Sequence, residues 1–283
     1  MKPEYKEGED YKFIPMTSIH SGNEMQIGDD IFCYTNQIVN VIMIGKPKEK
    51  NWVMVDAGMP KSGKRLIEVA EARFGKNNPP KAILLTHGHF DHVGGLITIL
   101  EKWNVPVYAH PLEFPFLNGS QSYPSPDSSV AGGFLAKISF IYPVDPIDIS
   151  PNLQKLPEDN TLPHLPEWTW VHTPGHSPGH VSFFRKKDGM MLVGDAFIAV
   201  EQDSLYNVLV QKEGVYGPPV YLTTDWNAAH ISVKSLSYLN PNTAVTGHGR
   251  VLEGEMLKEG LEKLAHNFKE KAVPKHGKYV ADK

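Results

Sequence analysis

The stretch Thr86-His87-Gly88-His89-Phe90-Asp91-His92 decides how the rest of the chain is read. Three imidazoles and a carboxylate fall within it. The apolar run Ala82-Ile83-Leu84-Leu85 before it reads as a buried strand. Val93-Gly94-Gly95-Leu96-Ile97-Thr98-Ile99-Leu100 after it reads as a turn feeding a helix. The cluster is therefore expected on a loop at a strand's carboxyl end, a usual place for a site in an α/β fold. In an extended loop, residues two apart point the same way, so His87 and His89 can face one metal ion together. Asp91 and His92 lie where the chain turns into the helix and can hold a second ion. Neutral imidazole and carboxylate suit borderline divalent metals, zinc above all. Four polar residues on a solvated loop are the bland alternative, which suits a lone histidine better than this density.

On the N-terminal side, residues 1–15 are polar and read as loosely held or a short edge strand. Ile31–Thr35, Val39–Ile44 and Trp52–Val55 read as three strands of a meander, with Lys46-Pro47-Lys48-Glu49-Lys50-Asn51 as a charged turn. The third strand ends in Asp56-Ala57-Gly58, a carboxylate that by itself could be only a turn former. Ser62 to Phe74 has helical apolar spacing at Leu66, Ile67, Val69, Ala70 and Phe74, stopped by Asn77-Asn78-Pro79-Pro80.

On the C-terminal side, a helix through Trp103 and a strand Pro106–Ala109 are expected. A proline-rich, loop-like insert then runs over 111–166. Its Phe114, Phe116, Phe134, Leu135 and Phe140 are too apolar for a disordered linker, so it is expected to lie on the domain near the site mouth or to pack at a sheet edge. His110 and His164 read as surface residues. Trp168–His172 reads as a strand entering Thr173-Pro174-Gly175-His176-Ser177-Pro178-Gly179-His180, where Pro and Gly force a tight turn that presents His176. His172 reads as structural. Val181–Phe184 and Met190–Val193 read as a hairpin ending in Gly194-Asp195-Ala196. Thr223 or Thr224 is expected to cap a helix from Asp225 to Leu239. Ala244–Thr246 leads to Gly247-His248-Gly249, and Leu252 to Val273 is read as the last helix.

His-x-His-x-Asp-His resembles the signature of the metallo-β-lactamase superfamily, and the later strand-end motifs follow in that family's order. The resemblance covers nearly the whole chain. It implies an α/β fold, a four-layer αββα sandwich of two mixed sheets flanked by helices, in a single domain over 1–283. It implies two divalent metal ions, zinc foremost with Mn2+ or Fe2+ as other occupants. One would be held by His87, His89 and His176, the other by Asp91, His92 and His248, with Asp195 joining them. Asp56 would support the ligands from behind. His180, four residues past His176, reads as a supporting or pocket group, and Phe90 as a pocket wall for an apolar acyl portion or as packing against the insert.

The function so implied is hydrolysis of an ester, lactone, thioester or related bond in a small molecule by a hydroxide held between two metals. Binding to metal lowers the pKa of water from about 16 toward ~7, so no serine or cysteine nucleophile is needed. Asp91 would orient that hydroxide. Acyl-homoserine lactonases carry a tyrosine three residues after the bridging Asp; Ile198 stands there, which weakens that branch. Arg250 could meet an anionic substrate or be a surface charge. The alternative is a non-haem iron oxidoreductase resembling persulfide dioxygenases, which hold one iron on this scaffold.

Composition sets the outer bounds. The chain has 283 residues, a formal net charge of -4 and no basic run, which argues against a nucleic-acid partner. The segment Met1–Asp10 lacks the apolar core of a signal peptide, and no apolar run is long enough to span a bilayer. The single cysteine, Cys33, excludes an internal disulfide, fits a reducing cytoplasmic setting, and reads as a small core residue. Oligomeric state is not readable.

Overall fold

Valine, isoleucine and aromatic residues dominate Ile31–Asn36 and Val39–Ile44, and both strands are buried at every position. A computed structural model describes residues 5–6, 18–130, 139–200 and 213–280. The chain divides into two units, one of Met1–Tyr123 with Pro143–Pro166, the other of Pro124–Tyr142 with Glu167–Lys283.

The first unit is built on a seven-stranded mixed sheet whose strands lie in sequence order. These are β1 (Glu24–Ile27), β2 (Ile31–Asn36), β3 (Val39–Ile44), β4 (Val53–Val55), β5 (Ile83–Leu84), β6 (Val107–Ala109) and β7 (Leu153–Lys155). Neighbours from β1 to β4 pair antiparallel through short turns. Those from β4 to β7 pair parallel, and parallel neighbours need a crossover. Helix α1 (Gly63–Phe74) supplies the crossover before β5. The short helix α2 (Phe90–Val93) and α3 (Leu96–Trp103) supply the one before β6. Trp52 ties both crossovers to the sheet: it stacks on Phe74 of α1 at 4.2 Å and meets Trp103 of α3 edge-on at 6.0 Å. Cys33 is buried in β2, and desolvation pushes its thiol up to about 12, as a packed core residue requires.

The second unit holds a five-stranded mixed sheet. Its strands are β8 (Trp168–His172), β9 (Val181–Arg185), β10 (Met190–Gly194), β13 (Thr243–Thr246) and β14 (Leu252–Glu253), in the order β14-β13-β10-β9-β8. A separate pair joins β11 (Ile198–Val200) to β12 (Glu213–Tyr216). The one parallel pairing in the five-stranded sheet, β10 with β13, is bridged by helix α5 (Trp226–Tyr238). Its core is Met191, Val193 and Ala244 from strands against Trp226, Val233, Leu236, Leu257, Leu261 and Leu264 from α5 and α6 (Gly254–His266). Two mixed sheets with helices is the fold class expected.

Several local expectations need correction. The cap of α5 is Asp225, whose carboxylate accepts the Ala228 N–H at 2.9 Å, and neither Thr223 nor Thr224. Asp225 takes the extended cap conformation, whereas the Thr223 hydroxyl donates to the Pro219 carbonyl. The last helix does not start at Leu252. That residue pairs with Ala244 as a strand, and α6 and α7 (Phe268–Lys271) break at Asn267. The insert is not loop alone: it carries α4 (Phe114–Leu117) and β7, the edge strand of the first sheet. Phe134, Leu135 and all of residues 1–15 except Tyr5 and Lys6 lie outside the described residues.

Candidate metal centre

In the first unit the loop after β5 delivers His87 and His89, and α2 delivers Asp91 and His92. All four are buried. The His87 ring lies 4.7 Å from His89 and 4.2 Å from His92, centroid to centroid. Asp56 organises them from the end of β4. Its Oδ1 accepts the Thr86 N–H, and its Oδ2 accepts both the Thr86 hydroxyl and Nδ1–H of His92, each at 2.8 Å. Because the Thr86 proton goes to Asp56, the Thr86 oxygen is left to accept Nδ1–H of His87 at 3.0 Å. Both imidazoles are thereby held as Nδ1–H tautomers, which puts the lone pair on Nε2, the nitrogen a metal would take. Asp56 does this from a left-handed backbone, φ 60°, a conformation aspartate tolerates better than most residues.

The second unit brings three more predicted residues together by itself. His176 Nε2 lies 3.5 Å and His248 Nε2 lies 3.2 Å from the same Oδ2 of Asp195. The Thr173–His180 turn is pressed onto α5: the Gly175 carbonyl accepts the amides of Thr224 and Asp225. Gly175 has φ 130°, and a Cβ there would sit 2.3 Å from the Ala229 nitrogen, so only glycine permits this approach. Thr223 donates to the Pro219 carbonyl at 2.8 Å, so its oxygen accepts Nδ1–H of His176 at 3.3 Å. The lone pair of His176 then faces a carboxylate oxygen. Two acceptors face each other, a pairing relieved only by a proton or a cation between them. A divalent ion fits this donor set, as it fits the Nε2 atoms of the first unit.

Both ring nitrogens of His180 are engaged by protein groups. Its Nε2 accepts the Asp195 N–H at 2.8 Å, which requires the Nδ1–H tautomer. Nδ1 donates to Thr173 at 2.8 Å, Thr173 pairs with Ser182 at 3.1 Å, and Ser182 donates to the Val193 carbonyl at 2.7 Å. The chain of bonds starts at Asp195, just past the end of β10, and ends on Val193 within that strand. His172 holds the same turn through the Pro178 carbonyl at 2.9 Å. Phe90 is buried, His164 and Arg250 are exposed, and His110 accepts the Leu112 amide at 3.3 Å.

Sequence reasoning missed Thr86, Thr173 and Thr223, which set tautomers, and Glu113 with Tyr123 behind Gly88. Thr86 and Thr173 adjoin or open quoted motifs, so strand-end position was the available signal. Nothing near Glu113 in the sequence marks it as buried.

Comparison with known proteins identifies a family and a fold. The profile of the metallo-beta-lactamase superfamily matches residues 34–248. The chain is 43% identical over 257 residues to the probable metallo-hydrolase YflN of Bacillus subtilis (strain 168), covering 90% of this chain and 97% of that one. It is 33% identical over 196 residues to the probable metallo-hydrolase YybB of the same organism, covering 69% and 74%. Among solved structures, MEM-A1, a subclass B3 metallo-beta-lactamase from a soil metagenome library, aligns with a TM-score of 0.61 at 15% identity, over 88% of this chain and 95% of that one. At that identity the likeness speaks for the fold alone.

Proposed function

Because the chain belongs to the metallo-β-lactamase superfamily, we propose that it is a dinuclear zinc-dependent hydrolase of a small ester, lactone, thioester or related substrate. In this reading His87, His89 and His176 hold one ion, Asp91, His92 and His248 hold the other, and Asp195 is shared. When bound, such ions lower the pKa of water from about 16 toward ~7 and polarise a carbonyl or phosphoryl oxygen. Asp91, one of the residues that would hold the second ion, would also orient the attacking hydroxide. Asp56 keeps His92 directly, and His87 through Thr86, in the tautomer that ligates. His180 fixes the backbone of Asp195.

The observation that carries the reading is the approach of two imidazole nitrogens, from loops 72 positions apart (248 less 176), to one carboxylate oxygen. A shared carboxylate between two cations needs that arrangement. Among the described residues, no helix is long and apolar enough to cross a membrane.

The test is elemental analysis followed by a panel of lactones, thioesters, phosphodiesters and β-lactams with zinc-, manganese- and iron-loaded protein. About two metal ions per chain and hydrolysis of an acyl substrate are expected. His87→Ala or Asp195→Ala should lower that hydrolysis at least ~100-fold through lost metal or geometry. One iron per chain with oxygen uptake would instead establish the persulfide-dioxygenase-like oxidoreductase. Full activity in metal-free protein would overturn both.

A further inference from the structure

Gly88, between His87 and His89, offers its amide to two groups from the proline-rich segment. The N–H points at Glu113 Oε2 and at the Tyr123 hydroxyl, each at 2.9 Å. Tyr123 in turn donates its hydroxyl proton to Glu113 Oε2. Glu113 is wholly buried. It ends the turn Pro111–Glu113, whose start is capped by His110. The Tyr123 ring stacks on Phe116 at 3.8 Å and lies 4.3 Å from the His89 ring. Its backbone N–H is tied to the Val144 carbonyl at 2.9 Å. A Cβ on residue 88 would stand 2.7 Å from the Tyr123 oxygen and 3.1 Å from Leu117, so the approach requires glycine.

We infer that Glu113 and Tyr123 are positioning residues for the metal ligands, a clamp on the His87–Gly88 peptide unit that leads from one to the next. This rests on the metal-centre reading above. Turning the His87–Gly88 peptide plane would redirect the His87 imidazole directly, because His87 Cα lies in that plane, and would move His89 through the next peptide unit. A buried carboxylate is costly unless hydrogen-bonded. Here its Oε2 meets the amide between two ligands and the hydroxyl that fixes the ring beside one of them. The clamp acts on the direction of the ligand imidazoles, not on substrate. It gives the segment after β6 a role in metal retention that a loop merely covering the site would not have.

The experiment measures release of zinc from the full-length protein to a chromophoric chelator, with the visible absorption of the cobalt(II) form as a second readout. Glu113→Ala and Tyr123→Phe should each release metal at least ~10-fold faster, as loss of a group that orients ligands does. Tyr123→Phe keeps the ring stacking, so it tests the clamp even if Glu113→Ala folds poorly. Glu113→Gln retains a carbonyl oxygen for both donors and should release close to the wild-type rate with an unaltered cobalt spectrum. The double variant Glu113→Ala/Tyr123→Phe should release little faster than the worse single one, since the two act as one unit. Val69→Ala, in the buried face of α1, is the control: it lowers the melting temperature without speeding release. Wild-type release from Tyr123→Phe and Glu113→Ala, or equally fast release from Val69→Ala, overturns the clamp alone. A wild-type protein that takes up no metal overturns the metal-centre reading, and the clamp with it.

Discussion

Asp56 accepts Nδ1–H of His92 at 2.8 Å, with both side chains all but fully buried. The same carboxylate reaches His87 through the Thr86 hydroxyl. One side chain thus sets the tautomer of two imidazoles. Asp56→Asn puts an amide N–H, or at best a weaker acceptor, where a charged acceptor stood. Metal affinity should fall by about 10–100-fold. Competition titration with a chelator of known affinity checks this, and an unchanged affinity would show that Asp56 is only a turn former.

His180 lends its Nε2 to the Asp195 amide. In His180→Ala that buried N–H loses its acceptor and the bond chain through Thr173 and Ser182 is cut. A buried donor left without an acceptor costs about 1–3 kcal/mol. Urea denaturation of the metal-free protein should show a lower midpoint with the same slope. An unmoved midpoint would mean that the amide finds another acceptor.

Asp127 gives stability a dependence on acid. Burial pushes its carboxyl up, but hydrogen bonds from the Ser129 hydroxyl and amide and from the Lys278 amide, with the Lys278 charge, outweigh burial and leave it below the usual carboxylate value. A carboxyl whose folded pKa is depressed stabilises the fold above its unfolded value, and that contribution is lost as pH falls through the folded value. Asp127→Asn should therefore melt below the wild type at pH 7. The gap should close as pH falls below about 4, the region where an unperturbed Asp titrates. Melting curves from pH 7 to pH 3 decide it; a gap constant with pH would mean that the carboxyl does not titrate differently in the two states.

The legible parts of the chain were those where one local pattern carries the information. The His87-to-His92 run is dense in ligand types and bounded by an apolar strand and a glycine turn, so its place after a strand could be read directly. The strands β2, β3, β8 and β9 were legible for the same reason, as runs of β-branched and aromatic residues long enough to show. The edge strand β7 was not: Leu153-Gln154-Lys155 is short, half polar and partly exposed, so nothing apolar marks it. The cap of α5 went to Asp225 over its threonine neighbours because Thr223 is engaged by Pro219 and His176, a tertiary fact.

What the sequence determined by itself is the list of candidate ligand types, their order and the strand ends that carry them, because side-chain chemistry and turn formation are properties of neighbouring residues. What only the tertiary structure decided is how those candidate side chains are held. Thr86 lies 30 positions from Asp56, Gly88 lies 25 from Glu113, and Asp195 lies 15 from His180. Such hydrogen bonds exist only once the sheets have brought distant segments together, so no local pattern encodes which nitrogen of each histidine carries the proton.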